Sequence, residues 1–209
     1  MDIIKQLNWR YAVKEFNSNR ELSVGIEDAL KDSIMLSPSA FGLQPYRVLW
    51  VKDSLLREEL VQYSWGQKKV EQSNLLIVFC SELNIDDNYI DNYINRISEV
   101  RFVSVTDLSV FSRNMKSHFS KMDDRQKHEW AARQTYIALG NLLTVCAGLY
   151  IDACPMEGFL NDKYDEILGL KEKGLHSEVI VAIGFRSAND LTQFQQKVRR
   201  KKEDLFIDM

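Results

Sequence analysis

Cysteine, proline and histidine occur only three times each in this 209-residue chain, and neither sign of charge dominates. Cys80, Cys146 and Cys154 form no CxxC pair; an odd, sparse set of this kind argues for reduced thiols in a cytoplasm. The net charge of −3 gives no global field toward nucleic acid or an anionic membrane. The most apolar run, Tyr136–Ile151, is short for a membrane span and carries Asn141 and Thr144. The start, MDIIKQLNWR, reads as a short amphipathic helix and not as a secretion signal. GxGxxG is missing, which removes support for a Rossmann dinucleotide site. Gly169 and Gly174 have phosphate-loop spacing, but Leu175 stands where lysine is needed. His128-Glu129 begins like a zinc-protease helix, yet Ala132 replaces the second histidine. His118, His128 and His176 show no metal-ligand spacing, so no metal is expected. No serine nucleophile elbow occurs. Hydrolase, zinc-enzyme and NTPase chemistry all lose support.

What is present is an ordinary globular composition, 45% hydrophobic and 27% charged. A compact chain this long buries roughly 70% of its unfolded surface, enough for a core without staples. Two of the three prolines sit in one stretch, Ser37–Tyr46, SPSAFGLQPY. Pro38 and Pro45 each remove a backbone donor and bias the preceding residue away from helix, so this is a stiff polar turn. Around it the chain reads in order. Asp2–Asn8 is a helix with Ile3, Ile4 and Leu7 on one face. In Arg10–Phe16, RYAVKEF, the cations Arg10 and Lys14 share a side whether the segment is helical or extended. Ser23 caps a helix through Leu36. Arg47–Val51 and Leu75–Cys80 are nearly continuous apolar runs, as expected of central strands covered on both faces, and Glu178–Gly184 is a third. Ser54–Tyr63 is a short helix, and Ser64–Val70 is turn-like. Asn84–Lys121 holds two helices as a peripheral excursion. Asp123 or Asp124 caps a long helix to about Leu149 with little polar face, expected to be the central buried helix. Ile151–Phe159 is a strand ending in a turn, and Asn161–Leu168 a short helix closed by Gly169. Helices outnumber strands, so the expected architecture is α+β, a three-layer α/β/α arrangement with a mixed sheet, as one domain over 1–209.

Four stretches, RYAVKEF, SPSAFGLQPY, CPMEGF and KVRR, stand in this order. With that set, nearly the whole chain resembles the FMN-dependent nitroreductase family, in particular its oxygen-insensitive NAD(P)H nitroreductase-like branch. The resemblance implies FMN as cofactor and NADH or NADPH as electron donor. It implies that Arg10, with Tyr11 and Ala12 beside it, begins the phosphate site, and that Lys14 lies at the flavin's pyrimidine edge. It implies that Pro38, Ser39 and Ala40 lie over the flavin from the second subunit, and that Gln67 and Lys69 touch its ring or ribityl chain. It further implies that Pro155, Met156, Glu157 and Gly158 form the turn along the ring, with Lys197 and Arg199 as a C-terminal phosphate clamp. Lys14, Glu157 and Gly158 are thereby the catalytic candidates. Ala12, Gly42, Gly66 and Tyr46 depart from residues frequent in relatives, which bears on individual flavin contacts and on substrate preference.

Residue chemistry fits that picture. A phosphate monoester carries roughly −1.5 to −2 charge, which Arg10, Lys197 and Arg199 suffice to neutralise. A lysine beside a reduced flavin acts like an oxyanion-hole donor. The flavin carries the hydride chemistry, so no catalytic dyad is needed. The expected protein is a cytoplasmic homodimer that reduces nitroaromatics, quinones or similar small-molecule acceptors by a ping-pong mechanism. Its tail 193–209 packs on the partner. Rival readings are a same-fold enone reductase, dehydrogenase or dehalogenase, and, more remotely, an interaction protein without flavin. The basic run Lys197–Lys202 lacks interleaved aromatics and carries little nucleic-acid signal.

Overall fold

The computed structural model describes residues 2–209. Side-chain caps set most helix starts. Asp2 accepts from the Ile4 and Lys5 N–H groups at the start of α1 (Ile3–Trp9), and Ser23 accepts from Ile26 at α2 (Val24–Met35). β1 (Tyr46–Val51) leads to α3 (Ser54–Val61), capped by Asp53, then to the single turn α4 (Lys69–Gln72) and β2 (Leu75–Glu82). The excursion is α5 (Asp87–Arg101), capped by Asp86, and α6 (Ser109–Phe119). Of the two candidate caps for α7 (Asp124–Gly148), Asp123 does the capping, in a reciprocal box with Gln126. β3 (Asp152–Met156), α8 (Asn161–Ile167), β4 (Leu175–Gly184) and α9 (Lys202–Leu205) complete the order. A cap of this kind contributes about 1 kcal/mol.

The strands lie in the order β1-β2-β4-β3, and every neighbouring pair is antiparallel. Side chains alternate across the sheet, and β2 displays the consequence. Leu75, Ile77 and Phe79 face a core shared with Leu30 and Ile34 of α2 and Ala138, Leu139, Leu142 and Cys146 of α7. Leu76, Val78 and Cys80 face the other core, with Leu60 of α3, Val70 of α4 and Tyr164 of α8. The three layers are therefore α2 and α7, the sheet, and α3, α4 and α8. A third cluster joins α5 and α6 to the start of α7 through Ile90, Ile94, Met115, Phe119 and Trp130.

Two expectations need correction. Arg47–Val51 belongs to an edge strand, not a central one, since among the described residues β1 pairs only with β2. Its apolar run has another cause: Val48 and Trp50 pack on one core and Leu49 on the other, so both faces are covered although one lateral edge is free. The expected mixed sheet reduces to one parallel bridge among the described residues, Ala12 with Ala153. That bridge, with an antiparallel one from Phe16 to Arg186, lays the extended segment 10–16 beside β3. α7 is the central helix of its layer, buried toward the sheet, while Tyr136 and Ile137 on its far side are exposed.

Candidate functional site

Both chain ends meet at one cavity of about 300 Å³, lined by Arg10, Tyr11, Ala12 and Lys14 from one end and by Thr192, Gln195, Gln196, Lys197 and Arg199 from the other. Asp190 makes the junction. The residue is 3% exposed, and its carboxylate accepts from the Tyr11 hydroxyl (3.0 Å), the Lys14 N–H (2.7 Å) and the Glu15 N–H (3.3 Å), and from the Thr192 N–H (3.0 Å) and hydroxyl. Burial alone would raise this carboxyl, but the bonds from Thr192, Lys14 and Tyr11 outweigh it and hold it below the ordinary range. Burial and the bond to Asp190 push the Tyr11 phenol up, so it stays a neutral donor. Arg186 locks the same corner. It forks onto Asp152 (2.6–3.1 Å) and lies over the rings of Trp9 (4.1 Å) and Tyr11 (4.6 Å).

The cavity is positive, with four cations against the one Asp190 carboxylate. Among the described residues no ion pair forms to Arg10, Lys14, Lys197 or Arg199. Arg10 is held below the usual guanidinium range by burial and then by the charge of Arg199. Lys197 is lowered by burial and then by Arg10, Arg199 and Arg186. Repelling cations gathered in a half-buried cleft mark a place where an anion binds favourably.

Lys197 has a task that its sequence context did not suggest. Its ammonium donates to the carbonyls of Leu7 (2.6 Å), Asn8 (2.7 Å) and Arg10 at the end of α1. An ammonium has three donors, so all are engaged. Lys197 brings charge to the cavity and ties the tail to α1, while direct donors remain on Arg10 and on Arg199, which among the described residues makes only a local bond to the Val198 carbonyl.

The other candidates fall into two further groups outside that cavity lining. At the end of β3, Glu157 accepts from the Tyr136 hydroxyl (2.7 Å), and the Gly158 carbonyl accepts from Gln67 Nε2 (2.9 Å). Burial and Glu157 push the Tyr136 phenol up. A Cβ at Gly158 would stand 2.9 Å from the Trp65 ring, so the flat group that requires glycine in this chain is an indole. Pro155 is half-buried. Met156 is 6% exposed, packs in the core and pairs with Ile180 in the sheet. Lys69, half-buried, opens α4.

The loop Pro38–Ala40 forms the third group and is pinned from α7 and α5. The Ala40 N–H donates to Gln134 (2.9 Å), the Gln44 N–H to the Ser39 hydroxyl (2.9 Å), and Asn141 Nδ2 to the Ser37 hydroxyl (3.0 Å). Tyr93 and Tyr89 donate to the Phe41 and Gln44 carbonyls (2.7 and 3.2 Å). Gly42 has φ +74°, with the Tyr93 hydroxyl where a Cβ would stand, so the turn and the excursion fit only around glycine.

Sequence reasoning missed Asp190, Trp65, Tyr136 and the polar liners Thr192, Gln195 and Gln196. Only Asp190 left a readable trace, an Asp-x-Thr turn pattern. It also missed a histidine pair: His128 and His176, far apart along the chain, come together with Glu178.

The nitroreductase family model matches residues 7–185. A Staphylococcus haemolyticus protein named "Putative NAD(P)H nitroreductase" is 34% identical over 212 residues, covering 97% of this chain and 95% of that protein. The crystal structure of the "putative nitroreductase ydfN" from Bacillus subtilis superposes with a TM-score of 0.88 at 19% identity, covering 100% of this chain and 98% of that one. A "putative nitroreductase in complex with FMN" from Exiguobacterium sibiricum superposes at 0.86 and 16% identity, covering 100% and 98%. By the family match over most of its length, this chain belongs to the nitroreductase family.

Proposed function

We propose that this protein is an FMN-dependent oxidoreductase, acting as a single-domain homodimer in the cytoplasm. When bound, FMN would supply hydride chemistry, accepting a hydride from NADH or NADPH and passing it to a nitroaromatic, quinone or similar acceptor in a ping-pong cycle. One observation carries this reading: the convergence of Arg10, Lys14, Lys197 and Arg199 on one cavity with no carboxylate paired to them. A phosphate monoester fits that donor set in charge and in hydrogen-bond capacity.

Arg10 and Arg199 would hold the phosphate through their guanidinium donors, and Lys197 would add charge while fixing the tail. The Lys14 ammonium has its backbone fixed by Asp190, so it would meet negative charge at a flavin's pyrimidine edge from a preorganised position. Glu157 holds the turn through Tyr136, and Gln67 holds the Gly158 peptide, whose missing Cβ lets the Trp65 indole lie against it. Gln67 and Lys69 would flank the cofactor. Pro38, Ser39 and Ala40 would close over it from the partner, the placement the family resemblance implies.

The absorption spectrum of purified protein tests this directly. The expected result is a yellow protein whose released chromophore has the mass of FMN and whose flavin absorbance bleaches on NADH or NADPH. A colourless protein that takes up no FMN on titration overturns it.

A further inference from the structure

On the far side of the N-terminal turns of α7, three side chains meet that the cationic cavity does not use. His128 projects from α7, and His176 and Glu178 from alternate positions of β4; one ligand atom from each lies within 4.8 Å of the other two. His128 Nε2 is 2.7 Å from Glu178 Oε1, and the two imidazole rings stand edge to face with centroids 5.2 Å apart. All three side chains are partly exposed, 33% for His128, 27% for His176 and 13% for Glu178, so an ion has an entry path.

The surroundings are what a metal site requires. His176 Nδ1 is 2.7 Å from Asp165 Oδ2, and Asp165, 2% exposed, also accepts from the Ser177 N–H (2.9 Å). A carboxylate receiving the Nδ1 proton leaves the Nε2 lone pair free to ligate and fixes the ring direction. The Ser81 hydroxyl donates to Glu178 Oε1 (2.6 Å) and orients that carboxylate. None of these residues lines the cationic cavity.

We infer that His128, His176 and Glu178 bind one divalent transition-metal ion of the zinc class, with Asp165 and Ser81 as supporting partners. Two imidazoles and one carboxylate suit zinc and leave a fourth position open to water. Ligand atoms around such an ion sit roughly 3.4 Å apart, given metal–ligand distances of about 2.1 Å, so the three side chains need only a small contraction. The ion displaces the proton that His128 Nε2 shares with Glu178; the proton moves to Nδ1 or to solvent. The bound ion ties α7 to β4, stapling the helix that carries Gln134 and Tyr136 downstream.

The test uses tag-free, chelator-stripped protein carrying whatever flavin it was purified with, titrated with Zn²⁺ by calorimetry. The expected result is one saturable equivalent and a raised Tm. Affinity should fall at least tenfold in His176→Ala and in Glu178→Gln, and roughly 10–100-fold in Asp165→Asn, with circular dichroism unchanged. X-ray absorption of the zinc-loaded wild type, which needs no variant, should show two imidazoles and oxygen around the metal. No saturable equivalent, a wild-type spectrum without imidazole, or variants binding as tightly as wild type overturns the inference. Because the site shares no residue with the cationic cavity, a colourless protein that binds zinc separates this outcome from the flavin reading.

Discussion

At the residue scale, two lysines and two arginines in one cavity have different work. Lys197 commits its three donors to backbone carbonyls, whereas Arg199 leaves most of its guanidinium to the cleft. Arg199→Ala should therefore weaken FMN retention by about tenfold or more, equivalent to roughly 1.5–3 kcal/mol for a hydrogen bond to a charged group, with little change in Tm. Lys197→Met should lower Tm as well, because three carbonyls lose their partner. Fluorescence titration with FMN beside thermal melts separates the two; equal Tm losses would count against the division. Lys14→Ala should slow flavin reduction in stopped flow more than it loosens FMN, since the ammonium is assigned to developing charge and not to the phosphate.

At the element scale, Asp190 is the joint between the extended 10–16 segment and the tail. Its carboxyl is lowered in the folded protein, so its contribution is present above the ordinary carboxylate value of about 4 and is lost as pH falls through the lowered one. Asp190→Asn should lower Tm at neutral pH by an amount that shrinks toward about pH 3. A Tm difference independent of pH would rule out the charge as the cause. The excursion finds its purpose at this scale too. α5 and α6 pack over the turn after Ser39, with Phe41 edge-on to Phe111 and His118 and both α5 tyrosines bonded to the loop backbone. It braces the loop that is proposed to close over the cofactor.

At the scale of the whole molecule, apolar side chains lie open on α7 and in the tail, where the proposed second copy would cover them. Ile137 on α7 is 44% exposed, and Phe206 and Ile207 in the tail are 64% and 88% exposed. Isolated exposed apolar residues are common, but a helix face and a tail together suit a dimer that shares its cofactor sites. Sedimentation should give a dimer, and Ile137→Glu should shift it toward monomer with loss of FMN. A monomeric wild type that retains FMN would remove the shared-site reading.

Most of the elements were legible along the chain, because caps, turn residues and apolar periodicity are local signals. Ser23, Asp123 and the Leu75 run act within a few residues of themselves, and four short stretches in order carried the resemblance. The sequence also named the cations at both ends, through the resemblance that those stretches carried. What those residues touch was settled by packing between distant segments. β1 reads as central because helices cover both its faces, and lateral position leaves no trace in an apolar run. Lys197 reads as a free cation until α1 presents its last carbonyls. His128 and His176 have no ligand spacing in the chain, and become neighbours because α7 packs where β4 passes; contact between distant segments is set by packing, which no local pattern encodes.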